Sequence, residues 1–305
     1  MRLDLLTMGR ISVDLYPEQI GVALEDVATF AKSLGGSPTN VAVAAARLGA
    51  RAAVVTKVGD DPFGRYCARA LRELGVDDRF VGVHPALRTP LAFCEVHPPD
   101  DFPLLFYREP TALDLTIAVD ELDFDAIRAA RILWTTGTGL SAAPSREATL
   151  AALAAREGAP VIHDLDYREM FWTSADEAGE WARSALAFAS VAVGNREEVA
   201  VAVGTSEPDA AADRLLALGV SLAIVKQGPD GVLVASREGR VAVPPVPVDV
   251  VCGLGAGDAF GGALAYGLLE GWAPERAVRL ANAAGAIVAS RLACADAMPT
   301  LEELL

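Results

Sequence analysis

The chain has 305 residues, 52% of them hydrophobic and 22% charged, which is enough apolar material to bury a large core without disulfides or structural metal. That excludes global disorder and small cross-linked scaffolds, and leaves either two domains or one large single-sheet α/β domain. With 26 basic and 41 acidic side chains the net charge is −15, the wrong sign for a nucleic acid or an anionic membrane surface, although backbone N–H groups can still hold a small anion.

In chain order, MRLDLLTMGR lacks the basic start, apolar stretch and cleavage site of a secretory signal, and residues 3–9 predict a first buried strand. Residues 10–33 break into short strand-like pieces. After Gly35-Gly36, Ser37 and Pro38 predict an N-cap and a first-turn proline for a helix from Ser37 to Leu48, closed by Gly49. A strand over 52–59 and a helix over 63–74 follow, and residues 88–110 again break the rhythm. Apolar runs at 131–137, 159–166, 190–195 and 221–228 predict further strands, with helices over 145–157, 176–188, 208–218, 257–270 and 275–291.

The apolar runs are near-continuous rather than alternating, as in strands covered on both faces, so the spacing predicts a mainly parallel central sheet with helices on each side. Segments 10–33 and 88–110 predict a small second sheet, a β lid over the strand ends. No linker tract or repeat divides the chain, so residues 1–305 read as a single unit. Cys67, Cys94, Cys252 and Cys294 are widely spaced, with no metal-ligand pattern, which fits reduced thiols in a cytoplasmic protein. No apolar run is long enough for a membrane span.

The chemistry concentrates in Gly253-Leu254-Gly255-Ala256-Gly257-Asp258. Alternating glycines opening a helix let the backbone approach a ligand, and the first helical N–H groups have no intrahelical partners, so they form an anion hole suited to a phosphoryl group in transfer. Asp258 stands at the helix start, where the dipole keeps a carboxylate ionised and ready to accept a hydroxyl proton. The residues alone equally allow a simple turn with a helix-capping Asp. A dinucleotide fingerprint fails because Asp258 occupies the place of its third glycine, and the Gly-Lys-Ser/Thr ending of a phosphate-binding P-loop is absent.

This stretch, joined to Gly35-Gly36 and Asn40, resembles the two signature regions of the PfkB, or ribokinase-like, carbohydrate kinases, and the resemblance covers essentially the whole chain. It implies a ribokinase-like α/β fold and ATP- and magnesium-dependent transfer to a sugar hydroxyl. Asp258 is then the catalytic base and the backbone of Gly255, Ala256 and Gly257 the anion hole. Asp14, Gly35, Gly36 and Asn40 correspond to sugar contacts. Asn195 and Glu198, in an N-x-x-E motif, correspond to residues near the ATP phosphates and magnesium, with any metal contact through water. Lys226 and Gly228 lie on the strand-turn that lines the nucleotide, and Asn282 on the helix flanking the adenine. Without the resemblance these are, in turn, a lid-turn acid, helix-entry residues, a polar helix start, a surface lysine and a packed Asn.

Stretches such as GGSPTNVAVAAARLG, HDLDYREMFW and CADAMPT resemble, within the family, kinases of keto-deoxy sugar acids. They imply 5-dehydro-2-deoxygluconate of myo-inositol catabolism as acceptor, with 2-keto-3-deoxygluconate or a neutral sugar as alternatives and a non-catalytic sugar or nucleotide sensor as the remote one. Arg108 and Arg168 border the expected site, and guanidinium groups pair bidentately with carboxylates. The competing reading pairs Arg108 with Glu109 or Asp101 and turns Arg168 toward ATP. Many family members carry an acidic residue six positions before the catalytic Asp, where Cys252 stands here, so a monovalent-cation site is not carried over. His84, His97 and His163 read as two loop residues and one structural strand-end residue. Edge strands of a lid sheet offer pairing to a second copy, which suggests a homodimer.

Overall fold

The computed structural model describes residues 2–305. Its strands are β1 (Leu5–Met8), β2 (Ser12–Pro17), β3 (Phe30–Gly35), β4 (Ala52–Gly59), β5 (Val81–His84), β6 (Leu91–Cys94), β7 (Leu104–Tyr107), β8 (Ile132–Thr136), β9 (Val161–Asp164), β10 (Val191–Asn195), β11 (Leu222–Lys226), β12 (Val232–Ser236) and β13 (Gly239–Val243). Its helices are α1 (Ser37–Arg47), α2 (Pro62–Glu73), α3 (Phe124–Ala129), α4 (Ser145–Ala154), α5 (Ala175–Leu186), α6 (Arg196–Val203), α7 (Pro208–Ala217), α8 (Ala256–Leu269), α9 (Pro274–Ala289) and α10 (Leu301–Leu304).

A nine-stranded sheet runs β13-β12-β11-β10-β9-β8-β1-β4-β5. It is parallel from β5 to β11 and antiparallel only at the β12–β13 edge. The near-continuous apolar strands have the expected cause: successive residues of one strand feed opposite faces. Leu5, Val54, Trp134, Ile162 and Val193 pack with α1, α2, α8 and α9 on one side. Leu6, Val55, Leu133, Val161 and Ala192 pack with α3 to α7 on the other. The two rhythm-breaking segments form a separate four-stranded sheet, β3-β2-β6-β7.

Helix entry at α1 differs from the sequence expectation. Gly36, not Ser37, is the N-cap, at φ +97° and with no side-chain cap bond. The left-handed backbone there excludes a side chain, since a Cβ on Gly36 would lie 2.4 Å from the Arg10 carbonyl oxygen. Ser37 is thereby moved into the first helical turn, with its hydroxyl free for another partner. The short elements β5, β12, β13 and α3 carry no clear periodic signal in the sequence. His84 closes β5 and is no loop residue, and His97 pairs with Asp101 in the β6–β7 turn. His163 is fully buried, hydrogen-bonded to Thr135 at 2.9 Å, and burial lowers its pKa to about 4.

Candidate active site

The parallel strands of the large sheet end at one edge, and ligands of open α/β sheets bind beyond those carboxyl ends. Here the four-stranded sheet covers that edge and encloses a cavity of about 180 Å³. Its wall is drawn from distant parts of the chain: Arg10 after β1, Asp14 on β2, Ser37 and Asn40 on α1, Phe106 and Arg108 on β7 and just after it, Arg168 after β9, and Gly255, Gly257 and Asp258 at the start of α8.

Gly255 caps α8 at φ +82°, and a Cβ there would sit 2.7 Å from Cys294 Sγ. Only glycine fits that backbone and that contact. The Ala256 N–H makes one long bond of 3.4 Å to Gly253 O, and Gly255 and Gly257 on either side line the cavity, whereas Ala256 does not; first-turn N–H groups have no intrahelical partner. Asp258 is the third residue of α8. Asn40 Nδ2 donates to its Oδ2 at 2.8 Å, and the nearby Ser37 hydroxyl also favours its ionised form. The sequence expectation that the helix dipole dominates this carboxylate is corrected: burial wins and raises the Asp258 pKa above its ordinary value, with Ser37, Asn40 and Arg10 pulling the other way.

Asp14 is also buried, and desolvation raises its carboxyl to about 6. Ser12 Oγ donates to its Oδ1 at 2.7 Å. Gly35 backs it so closely that a Cβ would fall 2.0 Å from the Asp14 carboxyl. The paired glycines thus make room for two different neighbours, Asp14 for Gly35 and the Arg10 carbonyl for Gly36.

Arg108 pairs with neither Glu109 nor Asp101. Its Nη2 meets Asp114 Oδ2 at 3.1 Å, both side chains being nearly buried. Its guanidinium also lies over the Phe171 ring, 4.7 Å from the centroid, and Phe171 meets Phe106 edge-on at 5.4 Å. Arg168 Nη2 lies 3.5 Å from Asp166 Oδ1.

Asn195, Glu198, Lys226, Gly228 and Asn282 lie outside the cavity wall. Asn195 and Glu198 form a reciprocal capping box at the start of α6, at 2.7 and 2.9 Å. Lys226 Nζ is 4.0 Å from Glu198 Oε2 and 3.7 Å from where a Gly257 Cβ would be, so its ammonium sits beside the first turn of α8. Burial disfavours that charge, but Glu198, Asp164 and Asp258 outweigh it and raise the Lys226 pKa. Gly228 opens a turn at φ +60°. Asn282 Nδ2 donates to Pro244 O at 2.8 Å, tying α9 to the chain after β13.

Several residues of this region escape the sequence patterns. Asp164 and Asp166 end β9 and its loop, and Arg10 Nη2 reaches Asp166 Oδ2 at 2.9 Å, a bond shared with the Thr138 hydroxyl at 2.8 Å. Burial pushes Asp164 up to about 7, whereas Arg10 and Arg168 overcome the same burial at Asp166 and hold it below the usual carboxylate range. Acidic residues at the carboxyl end of a parallel strand, as in His163-Asp164-Leu165-Asp166, are the signal that marks them. Tyr16 and Cys294 close the floor with an O–Sγ contact of 2.6 Å.

Magnesium has compatible donors here. Glu198 is engaged by protein groups through Oε2, and the buried Asp164 carboxyl is close enough to it to be raised by its charge. Two carboxyl groups beside a lysine suit a hydrated magnesium held jointly with polyphosphate. Among the described residues no helix is long and apolar enough to cross a membrane.

A family model described as pfkB family carbohydrate kinase matches residues 2–301. A protein of Geobacillus thermodenitrificans named 5-dehydro-2-deoxygluconokinase is 35% identical over 310 residues, covering 99% of this chain and 92% of that relative. One of the same name from Photobacterium profundum is 36% identical over 311 residues, covering 99% and 93%. Among solved structures, a candidate ribokinase II of E. coli in complex with ATP and magnesium superposes with a TM-score of 0.90 at 25% identity, covering 99% of this chain and 97% of that one.

Proposed function

The chain belongs to the pfkB family of carbohydrate kinases, and we propose that it transfers the γ-phosphoryl group of ATP to the terminal hydroxyl of 5-dehydro-2-deoxygluconate. The observation that carries this reading is Asp258, held by Asn40 in the first turn of α8 on the wall of the cavity under the four-stranded sheet. A carboxylate with a raised pKa is a stronger base than an exposed one, and the neighbouring donors favour its ionised form against burial. It accepts the hydroxyl proton as the oxygen attacks phosphorus. The open N–H groups around Gly255, Ala256 and Gly257 receive the charge of the transferring group.

The acceptor lies along Asp14, Gly35, Gly36 and Asn40, with its acid end toward Arg108 and Arg168. Asp14 offers acceptor oxygens to sugar hydroxyls. Lys226, Gly228 and Asn282 border the nucleotide. Glu198 and Asp164, with Asn195 fixing the helix that carries Glu198, would hold magnesium through water. Magnesium supplies charge neutralisation of the phosphates. The four-stranded sheet excludes water that would otherwise hydrolyse ATP, and residues 1–305 work as one unit because Asp14, Gly35, Gly36 and Asn40 come from its first half and the base from its last sixth.

The relatives do not favour 2-keto-3-deoxygluconate, a neutral sugar or a silent sensor as the reading. The enzyme acts on free small molecules in the cytoplasm, where its four thiols stay reduced. The outer strands β3 and β7 of the small sheet, with Leu105 and Tyr107 exposed, are where a second copy would pair. ADP release measured with 5-dehydro-2-deoxygluconate, 2-keto-3-deoxygluconate, fructose and ribose tests the substrate. Preference for the first, by kcat/KM, is expected; preference for fructose or ribose would overturn the acid assignment.

A further inference from the structure

We propose that Arg10 is a specificity-determining residue that reads the acid group of the acceptor; this rests on the keto-acid reading above and carries it to a residue outside the glycine motifs. Three guanidinium groups line the cavity, those of Arg10, Arg108 and Arg168. Arg108 has its own buried counter-ion in Asp114. Arg10 and Arg168 share a single one, Asp166, at 2.9 and 3.5 Å. Asp166 is the one carboxylate in ion-pair contact with either, so each guanidinium keeps N–H groups that Asp166 does not engage, and a substrate carboxylate can accept from them. Asp14 and Asp258 face the same cavity, but their hydrogen bonds come from the neutral donors Ser12, Ser37 and Asn40.

Arg10 is better built for this role than Arg168. Its side chain is 7% exposed, against 40% for Arg168, so its charge is little screened. Its backbone is fixed, because its carbonyl accepts from Thr39 Oγ1 at 2.8 Å and abuts Gly36. Its guanidinium is fixed as well, with Nη2 on Asp166 and the Phe171 ring 5.8 Å away, while its Nε has no hydrogen-bond partner. A planar fork anchored at one corner can donate from another without moving, and this is something a lysine cannot do. Arg168 also feels the charges of Glu198, Asp258 and Asp164, so its own charge is shared among several carboxylates.

The test compares kcat/KM for 5-dehydro-2-deoxygluconate with that for its primary amide, which keeps the shape and loses the charge, in the wild type, Arg10→Gln and Arg10→Lys. KM for ATP is read in parallel. Arg10→Gln is expected to lower kcat/KM for the acid about 10- to 100-fold, the scale of one charge-assisted hydrogen bond, with little effect on the amide or on KM for ATP. Arg10→Lys keeps a cation opposite Asp166 and so preserves the buried pair, but commits its one ammonium there; a loss of about tenfold confined to the acid is expected. Equal losses on acid and amide would show a structural role and overturn the assignment, as would an acid preference that survives both substitutions. If Arg10→Gln does not fold, Arg10→Lys decides by the same readings. A wild type inert toward the acid would overturn the substrate reading and this assignment together.

Discussion

The 2.8 Å hydrogen bond from Asn40 Nδ2 to Asp258 Oδ2 joins the first turns of two helices whose residues are 218 apart in the chain. It brings the two glycine motifs together at one carboxylate. Asn40 donates to the ionised form of a group that burial drives toward the neutral form, so its removal raises the Asp258 pKa further. Asn40→Ala should therefore move the acidic limb of the kcat/KM profile to higher pH, with a rate loss that is largest on that limb and shrinks as pH rises. A pH–rate profile with an unmoved acidic limb would show that the bond does not tune the base.

Asp14, proposed as an acceptor contact, carries a stability cost when ionised. Burial raises its carboxyl from 3.8 to about 6, so the fold favours the protonated form, and that contribution is lost as pH rises between those two values. Above that window the ionised, buried carboxylate costs on the order of 2 to 3 kcal/mol. Asp14→Asn keeps an oxygen that accepts from Ser12 and removes the charge. Thermal unfolding should show the variant stabilised at pH 8, with a gain that shrinks toward pH 4, while KM for the acceptor rises about tenfold or more. A variant less stable than wild type at pH 8 would contradict this.

Glu198 serves both the α6 cap and the proposed magnesium contact, and one substitution separates the two. Glutamine at this capping position can still accept from the Asn195 N–H, so Glu198→Gln should unfold within about 2 °C of wild type. Without its charge the variant should need about tenfold more magnesium for half-maximal rate, with KM for the acceptor unchanged. Magnesium titration at saturating ATP reads this directly, and an unchanged requirement would remove Glu198 from the metal's surroundings.

Strands such as Ala52–Gly59 were legible in the sequence because both faces are buried and the run is therefore mostly apolar, broken only by Thr56 and Lys57. Edge elements such as Gly239–Val243 were not, since exposed Gly239 and Arg240 interrupt any pattern. The glycines and Asp258 were legible from local chemistry, because a turn and a helix start are sequence-local events. Arg10 and Asp166 were not, because their meaning lies in a contact between residues 156 apart. Ser37 shows a subtler limit: a serine before a proline reads as a helix cap, but the backbone demanded by the Arg10 carbonyl gives the cap to Gly36 and turns Ser37 toward Asp258.

In the proposed reaction Asp258 removes the acceptor's proton. Asn is nearly isosteric with Asp and retains an acceptor oxygen for Ser37 and Asn40, but it cannot take a proton. Single-turnover phosphorylation of 5-dehydro-2-deoxygluconate by Asp258→Asn, with ATP binding measured by calorimetry on the same preparation, tests the claim most directly. ATP affinity within about threefold of wild type and a chemical step slower by at least about 10²- to 10⁴-fold are expected. Phosphoryl transfer at a near-wild-type rate in that variant would contradict the claim.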